Sequence, residues 1–157
     1  MSVTYVSSGK VVKSKTVASG DEQYILEGGK ASNTIVNGVQ YVSSGGSAVR
    51  TTVKSGGSQY VAGIATRTTV SGGSMNLISG GVASNTNVKS SGWMQVSSGT
   101  ATSTTLNSGG SMTIGYIDFI YDKDLWKNKL NRVPKRSAPL VIKNERSNGE
   151  SLDIFMT

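Results

Sequence analysis

Aliphatic, small and hydroxyl residues recur at fixed positions in phrases that repeat about every 16 to 19 residues from Tyr5 to Met112. Two columns of large aliphatic residues are Val6, Ile25, Val42, Val61, Leu77, Val96, Ile114, and Val17, Val36, Val53, Val70, Val88, Leu106. A column of mainly small residues is Val12, Ala31, Ala48, Ala65, Ala83, Ala101, and a threonine column is Thr34, Thr51, Thr68, Thr86, Thr104. A constant period of this size is typical of a solenoid.

The segments between the glycines have the composition of β-strands. Residues 40–43 and 51–53 are rich in β-branched and aromatic residues, and Gly and Ser-Gly pairs bound them. The Gly-Gly pairs at 28–29, 45–46, 56–57, 72–73, 80–81 and 109–110 supply the positive φ that tight corners require. A single coil cannot bury its own side chains, whereas stacked coils turn each aliphatic column into a buried ladder. The pattern therefore predicts an all-β fold, a right-handed parallel β-helix (β-solenoid) of about six coils.

Strand alternation assigns the side chains to two faces. If Val42 points inward, Tyr41 points outward, and the same argument places Thr51 inside. We expect the stacked threonine hydroxyls to bond one another or the backbone. The outward ladder consists of Tyr5, Tyr24, Tyr41 and Tyr60, continued by Asn76 and Gln95. Two interpretations are open for this ladder: aromatic stacking that stiffens the rod, or a contact stripe, since Tyr is enriched at interfaces.

The residue inventory excludes several kinds of chemistry. The chain has no Cys and no His, which rules out disulfides, thiolate catalysis and His-dependent catalytic triads. The repeats contain three acids, Asp21, Glu22 and Glu27, all near one end. We therefore predict a protein that is not an enzyme and that needs no cofactor or metal.

The net charge of +7 has little obvious organisation in the sequence. The basic residues of the repeats occur singly, which is typical of a solvated surface, and we predict no nucleic-acid partner. Lys54 and Lys89 occupy the same place in their repeats, each before a Ser-rich turn.

The composition changes near Gly115, which divides the chain into a repeat domain, residues 1–114, and a tail, residues 115–157. The segment 122–132 has acids at its start and Pro134 after its end, which predicts a short helix. The segments 138–142 and 152–155 are expected to pair as a hairpin around residues 147–149. A small C-terminal cap over the open end of the solenoid is the simplest role for the tail. Sequence joined after a truncation is the alternative, and the basic run at 132–136 is interpreted as a solvated loop.

No segment is long and apolar enough for a membrane helix, and residues 1–5 show no signal-peptide pattern. We therefore expect this chain to lack a signal peptide and to be an internal piece or truncated form of a longer protein.

The repeats closely resemble the AIDA-like repeat of self-associating autotransporter adhesins from Gram-negative bacteria. The resemblance covers about residues 3 to 114 and is carried by the segments 40–47, 51–60 and 79–89. It implies a surface-exposed β-helical passenger that mediates autoaggregation, biofilm formation and adherence to host cells. It also implies O-linked heptose on Ser and Thr, added by a dedicated glycosyltransferase. The full-length parent is then expected at the cell surface or outside the cell, held to the membrane only through a β-barrel that this chain lacks.

Four Ser-Ser pairs lie before glycine-containing corners and are the candidate glycosylation sites. They are Ser7, Ser8, Ser43, Ser44, Ser90, Ser91, Ser97 and Ser98. The alternative interpretation is that these serines make turn hydrogen bonds.

The expected partners are other rods of the same kind, an unidentified host or surface receptor, and the glycosyltransferase.

Other functions are less favoured by the sequence. A non-functional remnant of an autotransporter is one alternative, and a β-helical carbohydrate-active protein is another, although it would need clustered carboxylates. An ice-binding surface is disfavoured because Ile35 and Asn87 interrupt the outward column of Thr52, Thr69 and Thr105. A calcium-binding β-roll would need a regularly placed Asp.

Overall fold

Three parallel sheets form the solenoid, and each coil contributes one strand to each sheet. A computed structural model describes residues 1–114, 140–146 and 151–156. Sheet 1 contains β1 (Val3–Val6), β4 (Glu22–Ile25), β7 (Val39–Val42), β10 (Ser58–Val61), β13 (Ser74–Leu77), β16 (Trp93–Val96) and β19 (Ser111–Ile114). Sheet 2 contains β2 (Val11–Lys13), β5 (Lys30–Ser32), β8 (Ser47–Val49), β11 (Ile64–Thr66), β14 (Gly81–Ser84) and β17 (Gly99–Thr102). Sheet 3 contains β3 (Thr16–Val17), β6 (Ile35–Val36), β9 (Thr52–Lys54), β12 (Thr69–Ser71), β15 (Asn87–Val88) and β18 (Thr104–Leu106), followed by β20 (Leu140–Arg146) and β21 (Ser151–Met156).

The strand register confirms the predicted columns. Val6 pairs with Ile25 and Ile25 with Val42 in sheet 1, and Ala31 pairs with Ala48 in sheet 2. The aliphatic and alanine columns are almost entirely buried and form one continuous core. Val12, Leu106 and Ile114, in the outermost coils, are partly buried against it. The all-β parallel solenoid of about six coils is therefore confirmed.

The paired glycines at the corners have two different physical roles. Each first glycine has positive φ, for example 75° at Gly45 and 78° at Gly56, as predicted. Each second glycine instead lies against the backbone of a neighbouring coil. A Cβ on Gly57 would lie 2.2 Å from the carbonyl oxygen of Val36. The second glycine is therefore required by the close approach of two coils.

The corner between sheets 2 and 3 reaches positive φ without glycine. The residue there is Ser14, Asn33, Arg50, Arg67, Asn85 or Ser103, with φ between 52° and 58°. Asn tolerates this left-handed conformation better than most residues, whereas Arg is uncommon in it. The conformation recurs in every coil because the stacked neighbours impose the same path on each corner.

A ladder of buried glutamines lies inside sheet 1. Gln23, Gln40 and Gln59 are fully buried. The amide of Gln59 donates to Gln40 Oε1 and the amide of Gln40 donates to Gln23 Oε1, both at 2.7 Å. The next positions in this column are Met75 and Met94, which are also buried. The sequence analysis did not assign these three glutamines to the interior.

The threonine column points inward, as predicted, but its hydroxyls do not bond. Thr34, Thr51, Thr68, Thr86 and Thr104 are all about 1% exposed. Within the described part of the chain, none of their Oγ1 atoms has a hydrogen-bond partner. The predicted hydroxyl ladder is therefore wrong. Equivalent atoms of adjacent coils are about 4.8 Å apart, which is beyond the range of an O–H···O bond.

The predicted hairpin in the tail is confirmed at the backbone level. Strands β20 and β21 pair antiparallel, with Leu140 opposite Met156. Strand β20 also adds to sheet 3, parallel to β18, with Thr104 opposite Asn144. The predicted helix at 122–132, the loop at 132–136 and the turn at 147–149 lie outside the described residues. The division at residue 115 and the capping role stay predictions.

A single substitution in the glutamine ladder is expected to destabilise the fold more than replacement of the whole ladder. Replacing Gln40 with Met leaves Gln23 Oε1 and Gln59 Nε2 buried without partners, which should lower the free energy of unfolding by about 1–3 kcal/mol per orphaned group. The triple change Gln23→Met, Gln40→Met and Gln59→Met should recover most of this loss, because methionine already fills the column at Met75 and Met94. Urea unfolding followed by circular dichroism measures both. A triple variant less stable than the single one would contradict the account.

Candidate functional site

Four stacked tyrosine rings cover the outer face of sheet 1 in the first four coils. The ring centroids of Tyr5 and Tyr24 are 5.4 Å apart, those of Tyr24 and Tyr41 4.7 Å, and those of Tyr41 and Tyr60 5.3 Å. Adjacent ring planes are inclined by 13° to 21°. Tyr5 is 62% exposed and the others are half-buried, because each ring covers the next. The prediction of an outward ladder is confirmed, and the stack presents ring edges and hydroxyl groups to solvent.

One tyrosine of the stack is coupled to a carboxylate. The hydroxyl of Tyr24 donates to Glu22 Oε2 at 2.9 Å. This hydrogen bond, together with desolvation and the nearby negative charge of Glu22, raises the pKa of Tyr24 to about 12. Because the bond stabilises the neutral phenol, Tyr24 remains a hydrogen-bond donor throughout the physiological range.

The same face changes character after the fourth coil. The tyrosine column continues with Asn76 and Gln95, in register with Tyr60. Asn76 is only 9% exposed, so the prediction that it continues the exposed ladder is wrong, whereas Gln95 is half-buried. Trp93 stands in the neighbouring column, 37% exposed, and its indole N–H donates to Thr113 Oγ1 at 3.2 Å. The sequence analysis did not select Trp93. Its place two residues before Gln95 was the available signal, since alternation puts both on the outer face.

Three of the four candidate glycosylation pairs lie at the corner that joins sheet 1 to sheet 2. The pairs are Ser7 with Ser8, Ser43 with Ser44, and Ser97 with Ser98. In each pair the first serine is half-buried and the second is exposed. The structure therefore brings these pairs onto one edge of the rod, alongside the tyrosine face.

The fourth pair, Ser90 and Ser91, lies at a different edge. Both residues are exposed, at the corner that leads from sheet 3 back to sheet 1. In the fifth coil, the exposed Ser79 lies directly before Gly80, at the corner that joins sheet 1 to sheet 2. It was missed because its partner in the sequence is Ile78 rather than a second serine.

Glycine in the following coil lies close to two of these hydroxyls. A Cβ on Gly28 would lie 2.6 Å from Ser8 Oγ, and one on Gly109 would lie 2.9 Å from Ser90 Oγ. A side chain at either position would therefore clash with the serine, so glycine is required by the close approach of adjacent corners.

Among the described residues there is no group of three or more His, Cys, Asp or Glu side chains that could hold a metal ion. A search of the same residues for a helix able to cross a bilayer finds none.

Comparison with solved structures places the chain beside a glycosylated protein. It is similar to a TibC-catalysed, hyper-glycosylated fragment of TibA, with 38% sequence identity and a TM-score of 0.60. The match covers 71% of this chain and 50% of that chain, so this chain spans about half of the TibA fragment. No family model matches the sequence, and neither does any curated protein.

Removing the carboxylate partner of Tyr24 should lower the pKa of its phenol from about 12 towards the ordinary value of 10.0. In Glu22→Gln, the charge and the strongest acceptor of the Tyr24 hydroxyl are both lost. The raised pKa stabilises the fold below about pH 10, and this contribution is lost as the pH rises towards 12. Ultraviolet titration of phenolate, read as the difference between each protein and its Tyr24→Phe derivative, isolates this residue. An unchanged Tyr24 titration in Glu22→Gln would contradict the assigned cause.

Proposed function

We propose that this chain is a non-enzymatic adhesin module, the passenger type of an autotransporter, acting at the cell surface through the side of its rod. The resemblance of residues 3 to 114 to AIDA-like repeats supports an adhesin. The similarity to the TibA fragment supports the same fold at appreciable sequence identity. The observation that carries the proposal is the outer face of sheet 1, where tyrosine recurs in each of the first four coils.

The contact surface we propose is the tyrosine ladder. Tyrosine loses little conformational entropy when it makes contacts and is enriched at binding hot spots. The rings here are already ordered by stacking, which further lowers the entropy lost on contact. Each tyrosine contributes a small contact energy, and many such contacts along the rod together give avidity. Antiparallel rods on facing cells would present such faces to each other, and this is the route we propose to autoaggregation and biofilm formation.

We also propose that the serines at the corners accept O-linked heptose from a glycosyltransferase of the TibC kind. TibC glycosylates the TibA fragment, which supports an acceptor role for a chain of the same fold. Ser8, Ser44 and Ser98 are exposed on one edge, and Ser90 and Ser91 on another. Sugars on these edges would border the tyrosine face and leave its centre uncovered.

Disrupting the tyrosine stack should reduce cell aggregation without unfolding the rod. With the full chain displayed on non-aggregating bacteria, Tyr24→Thr with Tyr41→Thr should slow settling at least about fivefold, which corresponds to about 1 kcal/mol of contact energy. Threonine retains a strand preference, so the fold is preserved. The matched control is Ile64→Thr with Val82→Thr, which removes two exposed apolar side chains from sheet 2. Wild-type cells that do not aggregate, or equal slowing in both variants, would contradict the contact role.

Co-expression of the chain with TibC should raise its intact mass by whole multiples of one heptose. The variant Ser8→Ala, Ser44→Ala and Ser98→Ala should carry fewer heptoses than the wild type. The control Ser58→Ala with Ser74→Ala changes two half-buried serines whose Oγ atoms lie 3.0 Å apart in a hydrogen bond, and its modification should be unchanged. An unaltered wild-type mass would refute the acceptor role. Equal occupancy in the triple variant would refute the assigned edge.

A further inference from the structure

A shallow open groove of about 580 Å³ lies on the outer face of sheet 3, away from the tyrosine face. Asn37 and Ser55 line one part of it. The rest is lined by Thr52, Thr69, and Ser71, which lies between Lys54 and Lys89. We call these five residues the lysine groove. Every side chain in this set is a hydrogen-bond donor.

The two lysines of the groove have a spacing fixed by the backbone. Lys54 is in register with Ser71 of the next coil. The N–H of Lys89 donates to the carbonyl oxygen of Val70 at 2.8 Å, which places Lys89 one coil further on. The Cα atoms of the two lysines are therefore separated by two coil steps, about 10 Å. Lys54 ends β9 and Lys89 directly follows β15, so backbone hydrogen bonds between coils set this spacing.

The groove lies in a stretch of positive charge. Between Gly28 and Ile114 the sequence contains five Lys and Arg residues and no Asp or Glu. Within the described part of the chain, the one ion pair joins the N-terminal amine to Asp21. Asp21 lies at the corner after β3, one coil from Asn37, which also lines the groove, and Glu145 lies on β20, two strands beyond β15. The local potential therefore attracts anions.

We propose that the lysine groove binds an acidic polysaccharide, a sugar chain with carboxylate or sulfate groups along its length. The lysines would pair with two such anions, and Thr52, Thr69 and Ser71 would bond the sugar hydroxyls between them. Proteins that bind single-stranded nucleic acid stack the bases on aromatic side chains, and no aromatic residue lines the groove. The proposal concerns a separate face from the tyrosine ladder and does not depend on self-association.

The test measures binding of the full chain to immobilised polygalacturonate and dextran sulfate, with neutral dextran and single-stranded DNA as comparison surfaces. We expect binding to at least one acidic polysaccharide, no binding to neutral dextran, and weaker binding to DNA. The variant Lys54→Gln with Lys89→Gln should lose at least about tenfold in affinity, since two charge-assisted contacts are removed. Thr69→Val, which keeps the shape but removes the hydroxyl, should lose a few-fold.

The matched control is Lys13→Gln with Lys30→Gln, which makes the same change of charge on the neighbouring sheet 2. A loss in the control equal to that in the groove variant would show attraction by net charge alone and overturn the proposal. Binding to DNA as tight as to the polysaccharides would also overturn it, as would no binding to either polysaccharide. These outcomes are distinguishable from failure of the adhesin proposal. The settling assay tests variants of the tyrosine face on cells, whereas the sugar-binding assay tests variants of the lysine groove in the purified chain.

Discussion

In-register pairing of each strand with its equivalent in the next coil is the constraint on which this structure depends. Backbone hydrogen bonds between coils join residues 16 to 21 positions apart, such as Thr69 N–H to the carbonyl of Thr51. Because the strands are parallel and in register, every side chain lies above one of its own kind or its substitute. The aliphatic core, the tyrosine stack, the glutamine ladder and the lysine spacing are all consequences of that single repeat. The backbone distance between coils then decides which repeated side chains can interact.

The backbone distance between coils also determines which polar columns form hydrogen bonds between adjacent side chains. Glutamine side chains are long enough for adjacent amides to meet at 2.7 Å. Threonine side chains are too short to do so, and their buried hydroxyls remain without partners among the described residues. An unpaired buried hydroxyl costs about 1–3 kcal/mol on mutational scales. The threonine column therefore has to be stabilised by its methyl groups and by the strand preference of a β-branched residue.

Much of this architecture could be predicted from the sequence, because the columns are visible as a period. Alternation from Val42 correctly put Tyr41 outside, and alternation from Val53 correctly put Thr51 inside. The same alternation puts Gln40 inside, two residues before Val42, but a polar amide is rarely assigned to a core unless its partner is known. The partners of Gln40 are Gln23 and Gln59, at the same position in the two adjacent coils. The burial of Gln40 can therefore be predicted only once the strand register is known. The grouping of Ser8, Ser44 and Ser98 on one edge, and of Ser90 on another, likewise depends on which sheet each corner joins. Local composition does not show which two sheets a corner joins, and it does not show the groove beside Lys54 and Lys89.

The glutamine ladder also has a direction and an end, which limits how such a rod can change length. Each amide donates towards the preceding coil, and the ladder stops where Gln59 meets Met75. A duplication that copies a coil from within Gln23 to Gln59 would extend the chain of amides without a break. Copying a coil that carries methionine in this column into that stretch would leave a glutamine amide without a partner on each side of it. A rod of this kind can therefore lengthen or shorten within its glutamine coils, or within its methionine coils, without orphaning further amides, whereas a methionine coil placed between glutamine coils would orphan them.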